Sequence, residues 1–158
     1  MIYYLGLGSN LGRRRENLRR ARELLAARGV RTVKASSVYR TEPVGVGRQP
    51  WFYNQVLKVE STLAPRALLV LVLEVEAVLG RVRSAPRRPR TIDIDILLAG
   101  RSVVRTKDLT VPHPRLERRN FVLVPLVEIA PAAVHPGYRM TIAGLLARSR
   151  DTSAVRRV

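Results

Sequence analysis

The chain has 158 residues, of which 46% are hydrophobic, so it can bury one core and we expect one domain over residues 1–158. It contains no cysteine, which excludes disulfides and thiolate metal sites and agrees with a cytoplasmic location. No apolar run approaches the length of a membrane span, and polar residues interrupt the start too early for a signal peptide. The net charge of +17 is compatible with a nucleic acid or a polyanionic small molecule as partner. It comes almost entirely from arginine, a bias that genome composition or adaptation to heat also produces, so it is weak evidence of function.

The first fifty residues predict a strand, a helix and a second strand. Residues 2–8 form the first strand, and residues 13–28 place apolar side chains on one helical face before a glycine that ends the helix. The glycines between them fit neither a P-loop nor a dinucleotide motif, so we predict a tight turn with Ser9 or Asn10 supplying the cap. Residues 30–39 predict a second strand, and the Pro- and Gly-rich segment 41–50 predicts a long functional loop.

The middle of the chain predicts another strand and another helix. Residues 51–61 form the strand, with Phe52 and Asn54 on one face, where an aromatic ring and an amide can bind a flat heterocycle. Such a pair is more often ordinary packing, and it indicates a binding site only if the same face of the sheet carries the aspartates. Pro65 begins the helix, which runs to residue 79 and has an apolar surface wide enough to predict that it is largely buried. Its only acids are Glu74 and Glu76, and simple solvation is a sufficient explanation for either.

The most informative stretch is the predicted strand at residues 91–99. Strict alternation places isoleucines on one face and Asp93 and Asp95 together on the other. Carboxylates about 6–7 Å apart repel by roughly 2–3 kcal/mol when both are ionised. Because Mg²⁺ binds carboxylate and phosphate oxygens, the pair predicts a metal site. The alternative is a solvated face neutralised by arginines, since four of them lie just upstream (Arg83, Arg87, Arg88 and Arg90).

The last sixty residues predict short elements joined by loops. Residues 101–106 predict a strand that pairs back around Gly100, and a loop follows in which His113 lies between two prolines. An apolar helix runs from Phe121 to Ile129, and a short final helix begins near Thr141. Residues 148–158 are expected to fray.

The order strand–helix–strand–strand–helix–strand predicts an α+β, ferredoxin-like antiparallel sheet with helices on one face and the active site on the other. The isoleucines would meet the helices, leaving the two aspartates on the open face. Loops 41–50 and 81–90 are placed to close over that face.

Seven short motifs in a fixed order carry a family resemblance. They are Leu7–Gly12, Ser36–Pro43, Gln49–Asn54, Gly80–Arg83, Pro89–Ile96, Val111–Pro114 and Phe121–Leu126. Together they resemble the 6-hydroxymethyl-7,8-dihydropterin pyrophosphokinases of folate biosynthesis. The resemblance implies transfer of the pyrophosphoryl group of ATP to the pterin hydroxymethyl group, with ATP as co-substrate and two Mg²⁺ ions as cofactors.

The resemblance also implies roles for individual residues. Asp93 and Asp95 would hold both metal ions. The catalytic residues would be Arg81, Arg90, Asp93, Asp95 and His113. The pterin-binding residues would be Thr41, Val44, Phe52, Asn54 and Phe121. The ATP-binding residues would be Glu76, Arg83, Ile96, Thr110, His113 and Arg119.

Two other functions are compatible with part of the pattern. A basic ferredoxin-like RNA-binding module would stack bases on aromatics of the open face, but two acids at its centre would repel phosphate. A different Mg²⁺-dependent nucleotidyl or phosphoryl transferase is the nearer alternative, because paired aspartates do not define the acceptor. We therefore expect small-molecule partners, no nucleic acid, no membrane and a monomer.

Overall fold

The computed structural model describes residues 1–82 and 87–158 and shows an antiparallel sheet with helices packed on it. The strands are β1 (Ile2–Ser9), β2 (Arg31–Ala35), β3 (Tyr39–Thr41), β4 (Phe52–Glu60), β5 (Asp93–Ala99), β6 (Val104–Arg105), β7 (Thr110–Val111), β8 (Val134–His135), β9 (Met140–Thr141) and β10 (Val155–Arg157). The helices are α1 (Arg14–Ala27), α2 (Pro65–Val78), α3 (Asn120–Ile129) and α4 (Ile142–Arg148), with a 3₁₀ turn at Leu116–Arg118.

The main sheet is centred on β1, which pairs with β4 on one side and with β5 on the other. In the described part of the chain the strand order is β10–β3–β4–β1–β5, and β2 also pairs with β4. Tyr3, Leu5 and Leu7 of β1 are almost completely buried, as expected for alternating apolar residues at the middle of a sheet. The order places the aspartate-bearing strand β5 at one end of the sheet.

Helices α1 and α2 cover one face of the sheet. The apolar face of α1 (Leu18, Ala21 and Leu25) and one stripe of α2 pack on that face around Ile94 of β5. The prediction that α2 is largely buried is wrong: Val70 and Val78 are more than half exposed, and only one side of the helix contacts the sheet.

The opposite face of the sheet is divided between helices and the site. Helices α3 and α4 pack over part of it, against Tyr4, Val56, Leu97 and Leu98. A register shift in the β1–β5 pairing allows the consecutive residues Leu97 and Leu98 to join this second core. The ferredoxin-like α+β prediction is confirmed, with the refinement that only the part of this face not covered by α3 and α4 remains open.

The strand predicted over residues 30–39 is two strands, separated at Ser36–Val38. The Ser36 hydroxyl, in place of a backbone carbonyl, accepts a hydrogen bond from Val56 N at 2.9 Å. Glu128 of α3 then accepts hydrogen bonds from Ser37 N at 3.0 Å and from the Ser37 hydroxyl at 2.9 Å. Side chains thus replace the regular ladder and turn the chain into β3.

Two predictions for the C-terminal part of the chain are wrong. Residues 104–105 pair with β7, and only a single bridge between Ala99 and Ser102 turns back around Gly100. The terminal residues do not fray, because β10 pairs with β3 across Val155–Arg157. The β3–β10 partnership could not be read from local pattern, because its two strands lie far apart in the chain.

No helix in the described ranges is both long and apolar enough to cross a bilayer.

The contact between α3 and the β2–β3 bend generates a prediction about stability. Glu128 also accepts a hydrogen bond from the Tyr39 hydroxyl at 2.7 Å. Partial burial raises the pKa of Glu128, but hydrogen bonds from Tyr39 and Ser37 hold that pKa below its ordinary value. Replacing Glu128 by Ala leaves these donors unsatisfied, so the free energy of unfolding in urea should fall by about 1–3 kcal/mol.

Glu74→Ala is the matched control, because Glu74 makes only an exposed ion pair with Arg28 at 3.3 Å. Such pairs contribute about 0–1 kcal/mol. Equal losses in the Glu128 and Glu74 variants would contradict the structural role assigned to Glu128.

Candidate active site

A cavity of about 300 Å³ lies on the open part of the sheet, over β1, β4 and β5 and beside the first turn of α3. Ten of the predicted site residues line it: Thr41, Val44, Phe52, Asn54, Arg81, Arg90, Asp93, Asp95, Arg119 and Phe121. The volume is suited to a small heterocycle with attached phosphates. The fold therefore gathers residues from five separate sequence motifs around one space.

The two aspartates lie on β5 and face this cavity. Arg90 Nη1 is 3.2 Å from Asp93 Oδ2, and Arg81 Nη2 is 3.8 Å from Asp93 Oδ1. Both arginine side chains are at least 86% buried. Asp93 is therefore neutralised by arginines, as the alternative explanation of this strand requires. Because these arginines are buried, they also make the cavity suited to binding an anion.

The residues present fit a hard divalent cation carried in with a polyphosphate. The described residues contain no group of three or more His, Asp or Glu side chains arranged to hold a metal ion by themselves. Mg²⁺ takes one or two carboxylates and completes its shell with phosphate oxygens and water, which matches a two-carboxylate cavity. Arg90 Nε is buried without a hydrogen-bond acceptor among the described residues, as expected where an anionic ligand supplies one.

The aromatic and amide side of the cavity is formed by β4, β3 and α3. Asn54 Nδ2 donates to Thr41 Oγ1 at 2.6 Å, which fixes the amide plane. The Arg90 guanidinium lies 5.5 Å from the Phe52 ring centre, and that of Arg119 lies 5.4 Å from the Phe121 ring centre. Each predicted stacking ring thus lies within cation–π distance of an arginine that also lines the cavity.

Gly8 of β1 lies against this amide. A Cβ atom at Gly8 would be 2.7 Å from Asn54 Oδ1 and 3.6 Å from Phe52 Cδ1. Any larger residue would displace Asn54 from its hydrogen bond with Thr41. The glycine of the Gly-Ser-Asn motif therefore allows the Asn54 amide to approach the backbone closely and does not form a phosphate-binding loop.

The prediction that Ser9 or Asn10 caps α1 is wrong, because the N-cap residue is Arg13, which makes no side-chain cap hydrogen bond. Asn10 instead contacts Arg90. It is 2% exposed and its backbone and side chain exchange hydrogen bonds with the backbone of Arg90: Asn10 N donates to Arg90 O at 3.0 Å, and Arg90 N donates to Asn10 Oδ1 at 2.8 Å. Asn10 Nδ2 donates to Gln49 Oε1 at 3.0 Å and to Pro50 O at 3.1 Å. Asn10 thereby joins the 41–50 loop to Arg90.

Gln49 extends the same connection. Its Nε2 donates to Val46 O at 3.2 Å and to the backbone carbonyl of Arg87. Sequence reasoning assigned neither Asn10 nor Gln49 to the site, although both lie inside motifs that carried the family resemblance. Their role depends on the contact between the 41–50 loop and the segment at Arg87 and Arg90. A local sequence pattern does not reveal such a contact.

His113 and Thr110 line a second cavity, of about 340 Å³, next to the β6–β7 hairpin. His113 Nδ1 accepts a hydrogen bond from Arg115 N at 3.1 Å, so the ring carries its proton on Nε2. Burial, together with the nearby charges of Arg119 and Arg115, lowers the pKa of His113 to about 4. His113 is therefore a neutral hydrogen-bond donor at pH 7, not a cation.

Two predicted ATP-binding residues, Glu76 and Ile96, line neither of these two cavities. Glu76 is not solvated: it is 1% exposed, and its Oε2 accepts a hydrogen bond from Ile94 N at 2.8 Å on β5. The Ile96 side chain is buried in the core beneath α1 and α2. Arg83 lies outside the described residues.

The Gly8 contact predicts a loss of affinity from a single methyl group. In Gly8→Ala the Asn54 amide must move, so the dissociation constant for a pterin, followed by its fluorescence, should rise at least tenfold, or about 1.4 kcal/mol. Gly6→Ala is the control, because the three atoms nearest to its Cβ all belong to the flexible Leu97 side chain, at 3.4 Å or more. Unchanged pterin affinity in Gly8→Ala would show that Asn54 does not read the ligand.

The lowered pKa of His113 predicts a dependence of stability on pH. As the pH falls from 7 to 5, the unfolded chain binds a proton at this histidine while the folded chain does not, so acid destabilises the fold. His113 should account for about 2 kcal/mol of that loss. Urea unfolding of His113→Gln should show a correspondingly smaller loss over this range and the wild-type slope above pH 7; an identical loss below pH 7 would contradict the assignment.

Comparison with known proteins agrees with this geometry. The family model for 7,8-dihydro-6-hydroxymethylpterin-pyrophosphokinase (HPPK) matches residues 4–131. The 2-amino-4-hydroxy-6-hydroxymethyldihydropteridine pyrophosphokinase of Methylorubrum extorquens is 45% identical over 156 residues, covering 98% of this chain and 97% of that protein. The Bacillus subtilis protein of the same name is 46% identical over 129 residues, covering 81% and 77%.

Longer proteins also match. The chain is 39% identical over 148 residues to the folic acid synthesis protein fol1 of Pneumocystis carinii, and it spans only 20% of that protein's length. The structure of Plasmodium falciparum HPPK-DHPS with pteroate superposes with a TM-score of 0.77 at 15% identity, covering 93% of this chain and 42% of that one. The structural match supports the fold, and the sequence matches establish that this chain belongs to the 7,8-dihydro-6-hydroxymethylpterin-pyrophosphokinase family.

Proposed function

We propose that this chain transfers the pyrophosphoryl group of ATP to the hydroxymethyl group of 6-hydroxymethyl-7,8-dihydropterin, giving the pterin diphosphate and AMP. The observation that carries the proposal is one cavity in which an aromatic–amide pair adjoins two carboxylates and buried arginines. A flat heterocycle and a polyphosphate can therefore be held next to each other. Membership of the family supplies the identity of the acceptor.

The pterin would occupy the part of the cavity between Phe52 and Phe121. Their rings would stack on the two faces of the heterocycle, and the Asn54 amide, oriented by Thr41, would hydrogen-bond to its edge. Val44 of the 41–50 loop is 48% exposed at the cavity rim, where it would cover the ligand. The hydroxymethyl group would then point toward β5.

Asp93 and Asp95 would hold Mg²⁺, and we propose two ions. Bound Mg²⁺ would neutralise the triphosphate and lower the pKa of the attacking hydroxyl. The chain itself orients the carboxylates: Arg90 and Arg81 bind Asp93, and Asn10 fixes the backbone of Arg90.

The arginines and His113 would bind phosphate. Arg81, Arg90 and Arg119 provide charge around the carboxylates, and neutral His113 donates from Nε2 without adding charge. In an in-line phosphoryl transfer most of the catalytic work is positioning and electrostatic stabilisation, so this set needs no strongly basic side chain.

The nucleoside of ATP would bind at the outer edge of β5. Glu76 accepts the hydrogen bond of Ile94 N, and the backbone of Ile96, two residues further, would face the same edge of the strand. Backbone groups at such an edge can read a nucleobase although the Ile96 side chain is buried. Thr110 and Arg83 complete the proposed ATP site.

We also propose that the chain acts as a single-domain, cytoplasmic monomer on small molecules and not on nucleic acid. Two acids at the centre of the open face oppose binding of a nucleic-acid backbone. The absence of cysteine suits a reducing compartment.

Product analysis tests the proposed reaction. Incubation with MgATP and 6-hydroxymethyl-7,8-dihydropterin should yield AMP and the pterin diphosphate in equal amounts, and EDTA should abolish both. ADP in place of AMP would indicate transfer of a single phosphoryl group. Folded protein with no pterin-dependent turnover would overturn the assignment of the acceptor.

A further inference from the structure

We propose that residues 149–157, here called the C-terminal strap, position the pterin-binding aromatic Phe121 and the pocket loop that follows β3. Asp151 is the principal positioning residue of this strap. The inference rests on the proposed function, because it concerns how the pterin subsite is held. The strap lies beyond the residues 4–131 that the family model matches.

The first contact of the strap is with the N-terminus of α3. Asn120 N donates to Asp151 Oδ2 at 2.8 Å, and Asn120 Nδ2 donates to Asp151 O at 2.9 Å. The Ser149 hydroxyl donates to Asn120 Oδ1 at 2.6 Å. Every polar group of Asn120 near this helix end is therefore held by the strap, and the next residue is Phe121.

The N-terminus of α3 needs this external partner. The N-cap residue is Arg119, which has no side-chain oxygen with which to accept a hydrogen bond from the first turn. Asp151 supplies a carboxylate from outside the helix, where negative charge is favourable. The strap thus supplies the N-terminal cap that the residues next to α3 do not provide.

Asp151 is itself fixed. Its Oδ1 accepts hydrogen bonds from Ser153 N at 2.9 Å and from the Ser153 hydroxyl. Partial burial raises the pKa of Asp151, but the hydrogen bonds from Ser153 and Asn120 hold that pKa below its ordinary value. The cap is therefore an ionised, immobilised carboxylate at neutral pH.

The other end of the strap holds the pocket loop. Ala154 N donates to Glu42 Oε1 at 2.7 Å, Glu42 N donates to Ala154 O at 3.2 Å, and Val155 pairs with Thr41. Thr41 and Glu42 both line the cavity. One short segment therefore sets the position of the helix carrying Phe121 relative to the loop that carries Thr41.

This arrangement predicts a selective effect on pterin binding. Asp151→Ala removes the cap without touching a cavity-lining residue, so the dissociation constant for the pterin should rise about tenfold, in line with the loss of a helix cap. The KM for ATP should rise less than the dissociation constant for the pterin. Arg119 adjoins the capped helix end, but Thr110, His113 and Arg90 belong to segments outside the strap contacts described above. If Asp151 only stabilised the fold, its replacement would lower thermal stability without weakening pterin binding more than ATP binding.

The experiment compares Asp151→Ala with Asp151→Asn and Thr152→Ala by pterin fluorescence titration and steady-state kinetics. The Asn variant keeps one oxygen for Asn120 N and should regain most of the affinity. Thr152 is exposed in the same segment and its variant should match wild type. If Asp151→Ala does not fold, Ser149→Ala removes the hydrogen bond to Asn120 Oδ1 and should give a smaller loss in the same direction.

The outcomes separate the strap from the proposed function. Suppose that the wild-type protein binds pterin and forms AMP, while folded Asp151→Ala keeps the wild-type pterin affinity. That result would refute the positioning role of the strap and leave the proposed function intact. Equal weakening of pterin and ATP binding would also refute the positioning role. Wild-type protein without pterin binding would refute the proposed function, and the positioning role with it, whatever the variants do.

Discussion

Repulsion between Asp93 and Asp95 is the constraint on which the site depends. Two carboxylates on one face of a strand are tolerated only where cations offset them, and the fold brings buried Arg81 and Arg90 to Asp93 before any ligand arrives. The same arginines stay charged when a polyphosphate enters, so the cavity can accept an anion and its metal together. The position of Arg90 in turn depends on Asn10, which ties it to the 41–50 loop. The arginine that offsets the charge of Asp93 is therefore held in place by the same residue that holds the 41–50 loop.

Polar side chains complete the backbone wherever this fold departs from regular pairing. The Ser36 hydroxyl stands in for a carbonyl between β2 and β3, Glu76 occupies a backbone N–H at the outer edge of β5, and Asp151 caps α3 from a distant segment. Each of these groups accepts a hydrogen bond from a backbone N–H that would otherwise have no acceptor. They also fix the elements that border the cavity, so the hydrogen bonds that complete the fold at these places also give the site its shape.

The sequence predicted the site wherever local alternation was enough. It placed Asp93 and Asp95 on one face of β5, and Phe52 and Asn54 on one face of β4, and the structure brings both pairs to one cavity. The end of α1 and the start of α3 were likewise close to prediction, since glycine and apolar periodicity mark them. Three misses, which are the role of Asn10, the division of the 30–39 strand and the ordered C-terminus, depend on partners far away in sequence. A periodic pattern reports which face a residue occupies but not which segment lies opposite it.

The most direct test of the account is ATP binding with and without Mg²⁺, by equilibrium dialysis, in wild type and Asp95→Asn, with exposed Glu23→Gln as the control. Wild type and Glu23→Gln should bind MgATP at least tenfold, or about 1.4 kcal/mol, more tightly than ATP in EDTA. In Asp95→Asn this advantage should shrink below about twofold, while metal-free ATP binds at least as tightly as to wild type because a repelling charge is gone. An unchanged Mg²⁺ advantage in Asp95→Asn would contradict the account, since the acid pair would then be neutralised by arginine and would hold no metal.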